Sequence, residues 1–523
     1  MSEQTAVLIV GAGPVGLSLA HVLGRAGVSC RVLEREAELS DEPRAVGIDP
    51  ESLRTFQGLD LLDALADDIL FGVTGRYENG EGELLFELSD GSNGPVGYPY
   101  LSSFHQPGLV RVLARELNRY DSVDLCFQQS LEGFSQDAQG VSAQVRDAQG
   151  ELLEYRADYL VGCDGGRSFV RQSLGIKMQG DSNPLPWLVI DTREKEQQGD
   201  PRFHFFCDPA RPGMFLQTPH TTRRWEWMLL PGESREDFLR DATIHELLAP
   251  HIDVSGIDIY RRRVYDFHSI IADRFQDGRV FLAGDAAHMT PPFAGQGFNS
   301  GLRDVANLGW KLAAVVKGAP TSLLDSYTLE RWQHAWQLIQ MAVQLGEDIQ
   351  PLDREKAAER DAGFRLLHET PGAMEEFEQG IFQTLLDRSF AEGAAVDLGA
   401  DPLSGRWMLQ PEVEDGERRA RLDHFLGDGF SILGFECDPA KALDAAALQP
   451  WLDIGTSLHR LSSKPTAGAL ADAGVYFEEF FNGGPDMVLV RPDHFVMASF
   501  SADTAADKLG RAAELMGIGR DRS

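Results

Sequence analysis

Apolar positions along this chain fall into two periods, and the first sixty residues contain both. Ala6-Val7-Leu8-Ile9-Val10 is an unbroken, β-branched run, the pattern of a strand buried on both faces. Gly11-Ala12-Gly13-Pro14-Val15-Gly16 follows, then a helical pattern from Val15 to Ala26 that Gly27 ends. A second strand, Ser29 to Leu33, closes on Glu34. The same strand-to-glycine transition recurs at Tyr159 to Gly166, with Asp164-Gly165 in the turn, and at Gly278 to His288, with Gly284-Asp285 in the turn. The second of these runs on through Pro291, Pro292, Gly295, Gln296, Gly297, Asn299 and Gly301 into a long helical pattern, Leu302 to Val316. Aromatic residues alternate in Arg202-Phe203-His204-Phe205-Phe206 and Arg224-Trp225-Glu226-Trp227-Met228, so 181–264 is predicted to be a β-sheet. From Leu323 to about Leu386 the pattern is mostly helical, and 400–523 mixes strand-like runs with two helices, Ala440 to Leu448 and Thr504 to Met516. The prediction is an α/β chain with a discontinuous nucleotide-binding domain (1–180 and 265–390), a β-sheet domain (181–264) and a last unit (400–523).

Each part of the first motif has a physical task in a dinucleotide site. Gly11 permits the tight turn, Gly13 lets backbone approach a pyrophosphate, and Gly16 allows close helix–strand packing. The helix N-terminus offers free N–H groups to the anion, and Glu34, 18 residues after Gly16, can accept hydrogen bonds from a ribose diol. The motif alone leaves NAD and FAD both open. Glu34 disfavours a 2′-phosphate, while Arg35 beside it favours one.

Composition narrows the partners. With 81 acidic and 48 basic residues the formal charge is −33, which repels nucleic acid and anionic membrane surfaces alike. The apolar stretch Ala6 to Val28 is broken by glycines, His21 and Arg25, so membrane insertion is not expected. Five widely spaced cysteines without a CxxC argue against a disulfide framework and a zinc site, and fit a reducing cytoplasm. No His/Cys/Asp cluster has metal-ligand spacing.

The three glycine-acid motifs together resemble the group A flavoprotein aromatic hydroxylases, the family with the p-hydroxybenzoate hydroxylase fold. Pro43 to Asp49, Trp187 to Asp191, Val264 to His268, Pro291 to Lys311 and Leu489 to Asp493 look like the 3-(3-hydroxyphenyl)propionate hydroxylases among them. The resemblance implies a Rossmann-like FAD-binding domain, a substrate-binding sheet laid over the flavin, and a thioredoxin-like C-terminal domain used for packing or dimerisation. Without a CxxC, Cys437 is not expected to exchange disulfides. The implied reaction consumes NADH or NADPH and O₂ and hydroxylates a phenol through a flavin C4a-hydroperoxide. Carried over, FAD contacts fall on Asp164-Gly165, Gly284-Asp285, Arg44 and Gln106. Gly11, Gly13, Pro14, Gly16, Glu34, Arg35, Pro292 and Asn299 complete the cofactor set, with Gly295 and Gly297 allowing close approach to the flat ring.

Arg261, Arg263, Tyr265 and Phe267 share one strand face. With Arg224 and Pro292 they could receive an aryl acid, although an edge strand explains the same pattern. Asp49, ahead of Pro50-Glu51, reads as an N-cap. His288 reads equally as a core histidine or a neighbour of the flavin. No residue stands out as the base for the phenol. The competing functions are a hydroxylase of neutral alkylated or polycyclic phenols, a flavin reductase without oxygen insertion, and a flavin-binding sensor.

Overall fold

The computed structural model describes residues 3–519, apart from positions 90, 183, 184, 197, 198, 200, 387 and 473. Its first sheet grows from the apolar run at the start of the chain. Glu3–Val10 lies parallel to Cys30–Leu33 on one side and to Leu152–Gly162 on the other. Val280–Leu282 and Val123–Cys126 extend the parallel order outward. Val7, Leu8 and Ile9 are wholly buried, as a strand covered on both faces requires. Val10 is in register with both Leu33 and Gly162, and Gly162 with Leu282. Four parallel strands therefore end level, and each of the four glycine or acidic motifs leaves the sheet along the same edge.

Helix Pro14–Arg25 packs on helix Gln296–Val316. A Cβ on Gly301 would meet Val15 Cγ2 at 2.6 Å, and one on Gly309 would meet Val22 Cγ1 at 2.6 Å. The long helix begins at Gln296, six residues before the predicted Leu302. Gly297 and Gly301, which look like loop residues in sequence, are both helical, and at Gly301 the interface has no room for a side chain.

The second sheet runs in the order Ile257–Tyr265, Trp187–Glu194, Thr222–Met228, Gly213–Thr218, Arg202–Cys207, Thr74–Asn79, Leu84–Leu88. The sheet predicted within 181–264 thus takes two strands from the segment 74–88. Thr74–Asn79 pairs in parallel with Arg202–Cys207, stacking Tyr77 on Phe205 at 4.2 Å and on Phe86 at 4.0 Å. Local periodicity identifies a strand but not a partner so distant along the chain. Trp225, Trp227, Leu188 and Ile190 face the helix Asp241–Leu248. Trp187, Met214, Leu216 and Met228 face Phe293 and the helix Ser326–Ile349.

In the last unit Ser431–Phe435 pairs in parallel with Ser457–Ser462 and antiparallel with Met487–Val490, which pairs with Val496–Phe500. Helix Ala505–Met516 follows. This βαβ–ββα order is thioredoxin-like. Buried ions join the unit to the rest: Arg491 donates to Glu330 (2.7 Å), which also accepts from Lys311 (2.7 Å), and Arg54 makes a two-pronged contact with Asp423 (2.6 and 2.7 Å). Such pairs repay much of their desolvation cost only in this geometry, so they fix the docking more than they strengthen it. No described helix is long and apolar enough to cross a membrane.

Candidate active site

The shared edge of the first sheet gathers the sequence motifs into one cleft. Gly11, at φ +106°, is the tight turn: a Cβ there would sit 2.5 Å from Cys163 O. A Cβ on Gly16 would lie 2.1 Å from Gly11 O, so helix and strand touch at that point. A Cβ on Gly13 would meet nothing within 4 Å. Gly13 and Pro14 are part-exposed, and Pro14 starts the helix without a side-chain cap, leaving the first-turn N–H groups for an anion. Glu34 accepts from Ala12 N–H (3.0 Å) and Glu36 N–H (3.0 Å), which holds the glycine loop against the second strand. Arg35 points to solvent and contacts Glu36.

Across the sheet, Asp164 Oδ2 accepts from Val170 N–H (3.1 Å), while its buried Oδ1 has no partner. Arg171 donates to Gly166 O (2.8 Å) and Ala286 O (3.0 Å), tying the Asp164-Gly165 turn to the Gly284-Asp285 turn. Asp304 completes the frame. Its Oδ2 accepts from Gly284 N–H (2.9 Å) and contacts His288 Nε2 (2.7 Å), and its Oδ1 accepts from Arg331 (2.9 Å). His288 is therefore a sealed core residue bonded to a carboxylate, not to backbone. Asp285 itself has an exposed surface, yet desolvation by the surrounding protein raises its carboxyl pKa, with His288 and Arg44 opposing the shift.

The long helix supplies a second set of free donors. Gly295 is its N-cap in the left-handed region (φ +62°), with no side-chain cap. Pro292 closes the preceding turn by accepting from Gly295 N–H (2.8 Å). Cβ atoms on Gly295 and Gly297 would meet nothing within 4 Å. A helix N-terminus with open space before it stabilises negative charge through its N–H groups and dipole.

Gln106 and Asn299 act on the protein. Gln106 Oε1 accepts from Arg44 N–H (3.0 Å) and Ala45 N–H (2.6 Å), setting the path of the 43–46 segment. Asn299 donates to Gly295 O (2.7 Å) and accepts from Ser52 Oγ (2.7 Å) and Asp49 N–H (3.1 Å). Through these contacts its side chain supports the helix start. Asp49 caps its helix by accepting from Ser52 N–H (2.8 Å) and also meets Arg303, which reaches Gln296.

The cations expected to receive a substrate are largely committed. Arg224 is buried, donates to Asp191 (2.8 Å) and reaches the carbonyls of Pro43 and Arg44. Arg261 also reaches Asp191 (2.7 Å) and Pro43 O (3.0 Å), and contacts the hydroxyl of Tyr265. Arg263 is exposed and pairs with Glu42 at 3.3 Å. Arg224 and Arg261 thus already hold a protein carboxylate, and what they position is the 43–44 segment. Sequence reading fixed on these arginines and passed over Glu226, two residues on along the same strand face. Glu226 is buried, Oε2 has no partner, and desolvation lifts its pKa to about 7, against Arg224 and with Asp191. The alternation that flagged Arg224 also put Glu226 on that face.

The fold also assembles what spacing did not foretell. Donor atoms of Asp68, His105 and His220 lie within 4.8 Å of one another. His220 Nε2 contacts Asp68 Oδ1 (2.7 Å), and His105 Nδ1 accepts from Gly108 N–H (3.2 Å), capping the helix that carries Gln106. A cavity of about 1450 Å³ lies away from the motif edge, between the helix Pro14–Arg25 and the last unit, lined by Arg25, Trp310, Asp428 and Phe430. Converging motifs, not cavity size, mark the site in this protein.

The open glycines, Asp164 Oδ1 without a partner among the described residues, and the exposed Asp285 suit a long, flat, anionic dinucleotide. Comparison with known proteins agrees. Residues 4–342 match the FAD binding domain family, and residues 405–515 match the HcaD C-terminal domain family. A 3-(3-hydroxy-phenyl)propionate/3-hydroxycinnamic acid hydroxylase of Burkholderia cenocepacia is 38% identical over 518 residues, covering 96% of this chain and 94% of the relative. Aklavinone-11 hydroxylase, solved with FAD and aklavinone, superposes with a TM-score of 0.80 at 26% identity, over 98% of this chain and 100% of that one. The anhydrotetracycline hydroxylase of Streptomyces rimosus gives 0.77 at 28%, over 98% and 99%. This chain belongs to the FAD binding domain family, alongside the flavin-dependent aromatic hydroxylases.

Proposed function

We propose that this protein is an FAD-dependent monooxygenase that hydroxylates the ring of a small phenolic acid, with 3-(3-hydroxyphenyl)propionate as the leading substrate and NADH or NADPH as electron donor. The observation that carries this reading is the uncapped helix N-terminus at Gly295, directly after Phe293 and Ala294, which pack in the same apolar cluster as Trp187, Met214 and Met228. Bound FAD supplies the redox chemistry with O₂. The chain binds, shields and orients. Gly11, Gly13, Pro14 and Gly16 would hold the pyrophosphate and Glu34 a ribose. Asp285 would hold the ribityl chain, with Asp164 and Arg44 near it, and the N–H groups after Gly295 would stabilise negative charge on the flavin. The apolar cluster behind that helix start keeps water away.

A second reading has its own support. Arg224 and Arg261 are both engaged by the one carboxylate of Asp191. A neutral alkylated or polycyclic phenol would need no anchor there. Coupling separates the two. If the substrate is an acid, 3-(3-hydroxyphenyl)propionate yields more hydroxylated product per NAD(P)H than its methyl ester. Equal coupling selects the neutral phenol. NAD(P)H oxidation without O₂ uptake or hydroxylated product from any phenol would defeat the monooxygenase assignment itself.

A further inference from the structure

The face of the second sheet that meets the 43–46 and 291–295 segments is apolar except at a few places. Glu226 alternates on it with Arg224, which reaches the carbonyls of Pro43 and Arg44, and with Met228, which packs in the same cluster as Phe293 and Ala294. Its cross-strand neighbours are Val189 and Met214. Glu226 is only 3% exposed, and Oε2 has no hydrogen-bond partner among the described residues. Arg224 Nε stands 4.0 Å from Oε1, too far for a hydrogen bond. On the adjacent strand the indole N–H of Trp187, fully buried in the same cluster, is also unpaired. Buried polar atoms in folded proteins are nearly always satisfied. An unsatisfied acceptor and an unsatisfied donor on neighbouring strands of one buried face describe a site that a ligand completes.

We propose that Glu226 receives the proton of the phenolic hydroxyl when substrate lies between this sheet and the flavin. The inference rests on the monooxygenase reading above. The phenol O–H bond breaks, its proton forms an O–H bond with Oε2, and the electron pair stays on the phenolate oxygen. Delocalised into the ring, that pair raises electron density at the ortho and para carbons, where an electrophilic oxygen adds. The proton leaves to solvent when product departs. The charged groups facing Glu226 are Arg224 on its own strand, Asp191 on Trp187–Glu194 and Arg261 on Ile257–Tyr265. Desolvation and Asp191 push its carboxyl up while the two guanidiniums pull it down, leaving it near 7, where a general base works best at neutral pH.

The test is product formed per NAD(P)H consumed, in the FAD-loaded enzyme, from pH 6 to pH 9. Wild type is expected to show coupling that rises through a break near pH 7. In Glu226→Gln the break disappears and coupling at neutral pH falls at least about tenfold, the lost electrons appearing as H₂O₂, with flavin content unchanged. Glu226→Asp, which keeps the charge but withdraws it, falls between the two. Glu226→Gln with wild-type coupling and the same pH break overturns the proposal. If that variant fails to load FAD, Glu226→Asp decides: wild-type coupling and profile in a loaded protein overturn the assignment, and reduced coupling upholds it. Wild-type enzyme that hydroxylates no phenol would instead sink the underlying functional reading.

Discussion

Asp191 and Arg224 stand directly opposite each other on neighbouring strands of the second sheet, carboxylate and guanidinium 2.8 Å apart and both nearly sealed from solvent. The pair connects sheet to cleft, because the rest of the guanidinium holds the carbonyls of Pro43 and Arg44.

Removing one partner leaves a buried charge uncompensated. Arg224→Ala is expected to cost about 3–5 kcal/mol of stability and to weaken FAD binding, since the segment bearing Arg44 loses its anchor. Arg224→Lys should rescue little, because an ammonium cannot reproduce the planar fork. Thermal unfolding and FAD titration check both. A lysine variant with wild-type behaviour would show that charge alone suffices.

The glycines of the first motif divide by task. Gly16→Ala would force a Cβ to 2.1 Å from Gly11 O, so the apoprotein should lose stability or fail to fold. Gly13→Ala meets nothing in the protein. Its apoprotein should melt within a few degrees of wild type, while its FAD dissociation constant rises at least about tenfold, as an occluded phosphate approach requires. Unchanged FAD affinity in Gly13→Ala would remove the pyrophosphate from that loop.

Asp285→Ala should lower FAD content without unfolding the chain, since Gly284 and Asp304 keep the turn in place. Loss of a charge-assisted hydrogen bond of about 1.5–3 kcal/mol corresponds to roughly 10- to 150-fold weaker binding. Equilibrium dialysis reads the flavin-to-protein ratio, and an unaltered ratio would refute the ribityl contact.

His21 is sealed in the core, and burial lowers its pKa from 6.5 to about 4 despite the contact between Nε2 and Leu113 O at 2.8 Å. Between those values the unfolded chain binds a proton that the folded chain does not. Stability is therefore complete above pH 6.5 and drains as pH falls through 4, by about 1.4 kcal/mol per unit for this residue. His21→Gln should flatten that part of the slope in urea midpoints measured at pH 7, 6 and 5. A slope identical to wild type would mean that other groups dominate acid unfolding.

Sequence alone determined the parallel sheet and its ligand edge. A run as apolar as Ala6 to Val10 has no solvated option, and the glycines and acid that follow each strand are set by local backbone geometry and reach. The sheet at 181–264 was legible for the same reason, its aromatic alternation being a local property. Tertiary structure decided what these residues do with one another. Thr74–Asn79 completes the second sheet, Asn299 supports the helix start, Asp191 claims Arg224 and Arg261, and Glu226 is left unpaired. None of this is carried by spacing, because whether a charged side chain is free or satisfied depends on partners brought together from distant segments in a desolvated interior. Periodicity reports which face a residue occupies, and only the packed fold settles what that face meets.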